Sequence, residues 1–259
     1  MNYSLSGAYL NQDGIAEGSG FERFNLNGSF DAQVKSYLKA GINFAFHNSF
    51  QELTVSDQSL VNLALRMTPD VPIRNTDGSF GGQDDAPNWL PKNPIAFAEL
   101  IDNHAENDGI RANAYAEATI IKGLTYRTEL SVDYNTGNSY RFEPTWYLSN
   151  TQYNNESSGN NSKRFNKFWS WRNIVTFNRT FAQKHAVNAM LGQEMQKSSW
   201  EYLYGSRIGF PTNGSTDLTL GDKTTAYSDG YTGASSILSY FGRLFYSYND
   251  RYIITATLR

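Results

Sequence analysis

The chain has 259 residues, a formal charge of −3 and no cysteine. These numbers allow one large β domain; they exclude a disulfide framework and a thiolate metal site, and with no basic stripe they argue against a nucleic-acid partner. Its 17 Tyr, 16 Phe and 5 Trp, beside abundant Asn, Ser, Thr and Gly, suit pleated strands and turns better than helices. Mean hydropathy is −0.54, and no stretch approaches the roughly 18 apolar residues of a spanning helix. That excludes only a helical membrane protein, because a transmembrane barrel hides its apolar residues at alternate positions.

In chain order, a weak strand is expected at 2–11. The period-2 pattern then becomes clear: Phe24, Leu26, Gly28 and Phe30 alternate with Asn25, Asn27, Ser29 and Asp31. After a turn near 34–37, Leu38, Ala40, Ile42, Phe44 and Phe46 alternate with Lys39, Gly41, Asn43, Ala45 and His47. Residues 51–67, with Leu53, Leu60, Leu63, Ala64 and Leu65, are expected to hold a short helix, and the Pro- and Gly-rich 68–94 a loop. A weak strand at 111–121 precedes a strong one, in which Leu124, Tyr126, Leu130, Val132 and Tyr134 oppose Thr125, Arg127, Glu129, Ser131 and Asp133. Weaker strands fit 168–178 and 185–196. The last two place Leu238, Tyr240, Leu244, Tyr246 and Tyr248 opposite Ser239, Arg243 and Ser247, and then Tyr252, Ile254, Ala256 and Leu258 on one side. About nine strands result.

Connections alternate in length. Short ones fall near 33–37, at Lys122-Gly123, near 179–184 and at Asn249-Asp250; long ones at 12–20, 51–110, 136–167 and 197–235. Outer-membrane barrels keep short turns on the periplasmic side and long loops outside. Several patterns persist for ten residues, the length of a tilted membrane strand. Tyr37, Tyr126, Phe177, Phe181, Tyr248 and Tyr252 flank the short turns, where an interfacial girdle belongs. The expected fold is therefore all-β: an antiparallel up-and-down transmembrane barrel segment, incomplete, with long extracellular loops.

No catalytic constellation is present. GxSxG, Walker A and Rossmann patterns are absent, and His47, His104 and His185 are far apart. Asp84-Asp85, the group Asp102, Glu106 and Asp108, and Asn75-Asp77-Gly78 supply oxygens without the full spacing of a calcium loop, so solvated loops and Asx-turns are the default. No cofactor or metal is expected. The loop aromatics Trp89, Trp146, Tyr147, Trp200, Tyr202 and Tyr204 are candidate ligand contacts, weighed against simple loop packing. Asp31, Lys39, Arg127, Glu129, Asp133 and Arg243 are expected to face the lumen, either along a solute path or as salt bridges stiffening the wall.

Several segments resemble the SusC/RagA-type TonB-linked outer-membrane receptors. The C-terminal SYFGRLFYSYNDRYIITATLR (239–259) is similar to the signature barrel segment of that family. YSLSGAYLNQDGI (3–15) with FERFNLN (21–27), IIKGLTYRTELSVDY (120–134) and KHAVNAMLGQEMQ (184–196) resemble its hairpins; NTDGSF (75–80) and NPIA (93–96) resemble one of its long loops. The resemblance implies the outer membrane, import of oligosaccharides or peptides powered by TonB, a SusD-like surface lipoprotein as lid, and no enzymatic activity. It also implies a barrel of about 22 strands closed by a plug. Against that, residues 1–259 are expected to be a partial barrel, without plug, signal peptide or remaining strands. The alternative is a soluble or secreted carbohydrate-binding β-sandwich, which would explain the loop aromatics but not the ordered connections.

Overall fold

The computed structural model describes residues 1–54, 57–82 and 91–259. Nine long strands form one antiparallel sheet in which spatial neighbours follow chain order. They are β1 (Asn2–Asp13), β2 (Gly20–Lys35), β3 (Leu38–Glu52), β4 (Asp102–Ile121), β5 (Leu124–Glu143), β8 (Ser158–Phe181), β9 (His185–Ile208), β10 (Tyr227–Tyr248) and β11 (Tyr252–Leu258). A small hairpin, β6 (Trp146–Ser149) with β7 (Gln152–Asn154), is set in the connection between β5 and β8. Two short helices, α1 (Asp57–Arg66) and α2 (Pro94–Leu100), lie between β3 and β4.

The register assigns every strand residue to a face. Tyr3, Phe30, Ile42, Ala114, Leu130, Trp171, Met195, Leu238 and their i±2 neighbours share one side, which on the longer strands is apolar along the half nearer the short turns. From Tyr126 to Tyr134 on β5 the apolar run covers about 27 Å of strand; tilted by roughly 40°, it reaches most of the ~25 Å apolar band of an outer-membrane barrel. Among the described residues no second sheet covers this side: Ile42 is 44%, Leu130 49% and Leu244 46% exposed. A sandwich buries that face between two layers. The sandwich alternative therefore fails, and the up-and-down wall stands.

On the apolar side two polar pairs are closed between side chains. The Tyr126 hydroxyl donates to Asn173 Oδ1 at 2.7 Å, and Trp171 Nε1 donates to Thr128 Oγ1 at 2.9 Å. Hydrocarbon offers no water to replace such partners, so an unpaired group there costs several kcal/mol, on the order of 2–7.

Strand lengths correct the sequence reading. β8 and β9 each run 24 residues, against the ~9–11 that cross a bilayer. Much of 136–167 and 197–235, expected as loop, is strand. Above the apolar band both sides meet water, so polar residues occupy both faces and the alternation disappears. The same holds for 102–110, which begins β4 rather than ending a loop.

Short connections close one end of the sheet as expected, at 36–37, 122–123, 182–184 and 249–251. Backbone hydrogen bonds tie them to their neighbours: Thr119 N to Tyr37 O, Asn178 N to Gly123 O, and Asn249 N to Lys184 O. The two register irregularities of the long strands, at Gln33/Lys35 and Thr119/Ile121, lie at this end as well. Phe181, His185, Tyr248 and Tyr252 fall in one row on the apolar side, with Tyr248 and Tyr252 stacked at 6.5 Å and Phe177 6.2 Å from Phe181. Of the residues expected in an interfacial girdle, Phe181, Tyr248 and Tyr252 thus share one row at this end, and Phe177 lies beside it.

At the other end the connections pack on each other. Leu60, Ala96, Phe97, Ile101, Trp146 and Leu148 form a small buried core. The Asn93-Pro94 pair starts α2: Asn93 accepts from the backbone N–H groups of Ile95 and Ala96 and donates to the carbonyls of Ile73 and Gly81. One capping side chain thus pins the 71–82 loop to the helix. The helix α1 matches expectation, whereas α2, in a segment assigned to loop, does not.

Candidate functional site

The opposite, polar face of the sheet gathers the six residues expected to line a lumen. Asp31 pairs with Gly41, Gly41 with Tyr115, and Tyr115 with Glu129, which makes one row across four strands. Lys39 lies opposite Glu117, and Glu117 opposite Arg127. Asp133 sits opposite Arg111 and forms an ion pair with it at 2.7 Å. Arg243, opposite Met190, belongs to the same side.

Partners invisible in the sequence complete a charge network. Arg127 reaches Glu129 at 3.0 Å and Glu117 at 3.5 Å, and its guanidinium lies 3.9 Å from the centre of the Tyr115 ring. The Tyr115 hydroxyl donates to Asp31. Asn113 donates to Glu129 at 3.0 Å, Arg172 lies 3.9 Å from Glu129 and 2.7 Å from Glu194, and Arg259 lies 4.0 Å from Glu194. Gly41 makes this possible, since a Cβ there would stand 2.4 Å from Asp31 Oδ1 and 2.6 Å from the Tyr115 ring. Tyr115, Glu117, Arg172 and Glu194 were not singled out from the sequence; their partners lie on other strands, and only the register aligns them.

The aromatic candidates separate into three groups. Trp200, Tyr202 and Tyr204, expected in a loop, instead alternate along β9 on the polar face. Tyr202 packs on Tyr231 at 5.3 Å and Tyr204 on Tyr227 at 6.0 Å, while Arg164 lies 5.7 Å from the Tyr202 ring. Beside this shelf is an open hollow of about 330 Å³ lined by Asn107, Gly137, Ser139, Ser162, Arg164 and Tyr202. Trp146 is buried at 8% exposure with Phe97 edge-on at 5.3 Å, so it packs the loop core, whereas Tyr147 on the same hairpin is exposed. Trp89 lies outside the described residues, as do Asp84 and Asp85.

The oxygen-rich loop sites hold themselves together. Asp77 accepts from the Ser79 hydroxyl at 2.6 Å and the Ser79 backbone N–H at 2.9 Å, which holds its carboxyl below the usual range. Asp222 is held low in the same way by the backbone N–H and the hydroxyl of Thr224. Asp102 pairs with His104 at 2.8 Å, and Asp108 accepts from Asn48 at 2.6 Å. Among the described residues no three acidic or His side chains converge on a metal position. His47 is on the polar face; His104 stacks on Tyr140 at 4.8 Å, and His185 contacts the Tyr246 hydroxyl at 2.7 Å.

Comparison with known proteins agrees with this architecture. No family model matches the chain. It is 27% identical over 98% of its length to TonB-dependent receptor P26 of Formosa agariphila, and 28% identical over 99% to TonB-dependent receptor P3 of the same organism. It is 23% identical over its whole length to TonB-dependent receptor SusC of Bacteroides thetaiotaomicron. The chain spans about a quarter of these relatives, 26%, 26% and 27% of their lengths. In fold, 98% of the chain superimposes on 29% of a chain of the RagAB peptide importer in its 'open-open' state, with a TM-score of 0.80 and 19% identity. Over nearly its entire length, in sequence and in fold, this chain is therefore similar to a barrel-wall segment of the SusC-like TonB-dependent receptors.

Proposed function

We propose that the chain forms part of the wall of an outer-membrane TonB-dependent transporter, with its apolar face against lipid and its polar face towards the lumen. The observation that carries this reading is the uncovered apolar face of a single register-matched sheet, in which Asn173 and Thr128 have their partners supplied from within the face. On that reading Asp31, Lys39, Arg127, Glu129, Asp133 and Arg243 line the interior, and their ion pairs stiffen the wall. Trp200, Tyr202 and Tyr204 form a shelf on which sugar faces or peptide side chains stack. Solved relatives in fold carry the name of a peptide transporter, and both oligosaccharide and peptide cargo suit such a shelf. The packed loop cluster, with Tyr147 on its surface, is where a SusD-like lipoprotein would seat; TonB would act through parts of the assembly other than this wall. The relatives are receptors, and no enzymatic step is assigned.

The absence of cysteine makes the test direct. Spin labels at single cysteines replacing Leu130, Ser131, Val132 and Asp133 are read in native membranes against a lipid-soluble and a water-soluble relaxation agent. The lipid-soluble agent should dominate at 130 and 132, and the water-soluble one at 131 and 133. Equal access at all four positions, or the opposite phase, overturns the assignment.

A further inference from the structure

The short-turn end of the sheet carries charge that the transporter reading leaves unused. Lys35, Lys122, Arg179, Lys184 and Arg251 lie at or beside the four short turns, against one acid, Asp250, in a chain whose total charge is −3. All five cations are exposed, and none forms an ion pair among the described residues. The backbone bonds from Asn178 to Gly123 and from Asn249 to Lys184 tie neighbouring turns together, so that Lys122, Arg179, Lys184 and Arg251 follow one another along the rim at steps of one to two strands, each strand adding ~4.8 Å. Like charges so arranged repel each other unless an anion lies between them.

Position identifies the anion. By register with Val187 and Tyr246, Arg179 is on the apolar side, and its guanidinium lies 5.3 Å from the Phe181 ring. The neighbouring Tyr246 hydroxyl contacts His185 at 2.7 Å, and Tyr248 packs on His185 at 5.0 Å. Aromatic rings of this kind mark the level of lipid headgroups, so the cations stand where the phosphates of the adjoining leaflet lie. Arginine matches phosphate with two parallel donors, and a cation close to an anionic lipid surface strengthens binding about fivefold.

We infer that Arg179, Lys184 and their neighbours on the short-turn rim form a binding site for the phosphate of an anionic phospholipid headgroup. The inference rests on the wall reading, because it places the rim at a leaflet surface. It requires no particular cargo.

The test uses the chain extracted with its native lipid into polymer nanodiscs, with bound lipid quantified by mass spectrometry. Phosphatidylglycerol should be enriched over phosphatidylethanolamine relative to the bulk membrane. In an Arg179→Gln, Lys184→Gln variant that enrichment should fall by roughly fivefold for each charge removed. A Lys223→Gln control, in the loop at the far end, should retain it. No enrichment in the wild type, equal enrichment in the variant, or equal loss in the control overturns the site. Spin-label phase at 130–133, measured with Arg179 and Lys184 intact, separates the two claims: retained phase without lipid enrichment refutes the rim site alone, and lost phase refutes the wall.

Discussion

The two faces of this sheet share one backbone and satisfy their polar groups by opposite means. On the apolar side, Tyr126–Asn173 and Trp171–Thr128 are closed pairs, each using one donor and one acceptor. On the polar side, Glu129 alone meets Arg127, Arg172 and Asn113, and the network continues through Glu194 towards Arg259. Hydrocarbon enforces pairing because no solvent can take a missing partner's place. Water permits open networks, because it fills whatever position a side chain leaves vacant.

Charge insertion tests that contrast most strongly. Leu130→Arg should destabilise folding into liposomes by about 2–4 kcal/mol, while Ser131→Arg, one residue away on the other face, should change it little. Urea titrations of both variants in the same lipid give the comparison, and equal costs would abolish the distinction between the faces.

Added volume gives the next largest effect and reverses which side suffers. Gly41→Ala pushes a methyl into Asp31 and Tyr115, and should cost about 1–3 kcal/mol by overpacking. Gly7→Ala on the apolar side of β1 meets nothing nearer than Asn25 O at 3.9 Å and should be neutral. The smallest effect comes from deleting a hydroxyl. Tyr126→Phe strands the Asn173 amide in lipid and should cost roughly 1–2 kcal/mol. Tyr115→Phe leaves Asp31 to water and should cost less. Thermal melts in nanodiscs rank the pair, and a larger loss for Tyr115→Phe would contradict the proposed orientation.

The sequence revealed the part of the sheet nearer the short turns well, because there one face is apolar and the other polar. Phe24 to Phe30 and Leu124 to Tyr134 show this alternation plainly. β4 was legible only in part: Ala112, Ala114, Ala116 and Ala118 mark its apolar side too weakly to stand out. Outside the band, as in Asn135–Arg141, both faces are polar and period 2 carries no signal, while in Lys197–Arg207 the aromatic residues fall on the opposite face from the band's, although hydrogen bonding continues unchanged. The lumen candidates were found from the same alternation. Their partners were not, since Arg172 and Glu194 are joined by alignment across strands 22 positions apart in the chain. Trp200, Tyr202 and Tyr204 were identified by residue type and misplaced in a loop for the same reason that β9 was drawn too short.

The long strand pairs limit how such a wall can change in length. β8 and β9 keep one register through every pair from Ser158 with Ile208 to Phe181 with His185, without a bulge. Deleting one residue within either strand would exchange the sides of everything beyond it, sending arginines outward and phenylalanines inward. Insertions and deletions are therefore tolerable only in twos, or at the rim, where the irregularities at Gln33/Lys35 and Thr119/Ile121 already lie. Descendants of this segment should differ in stature by even steps, with odd remainders absorbed next to the turns.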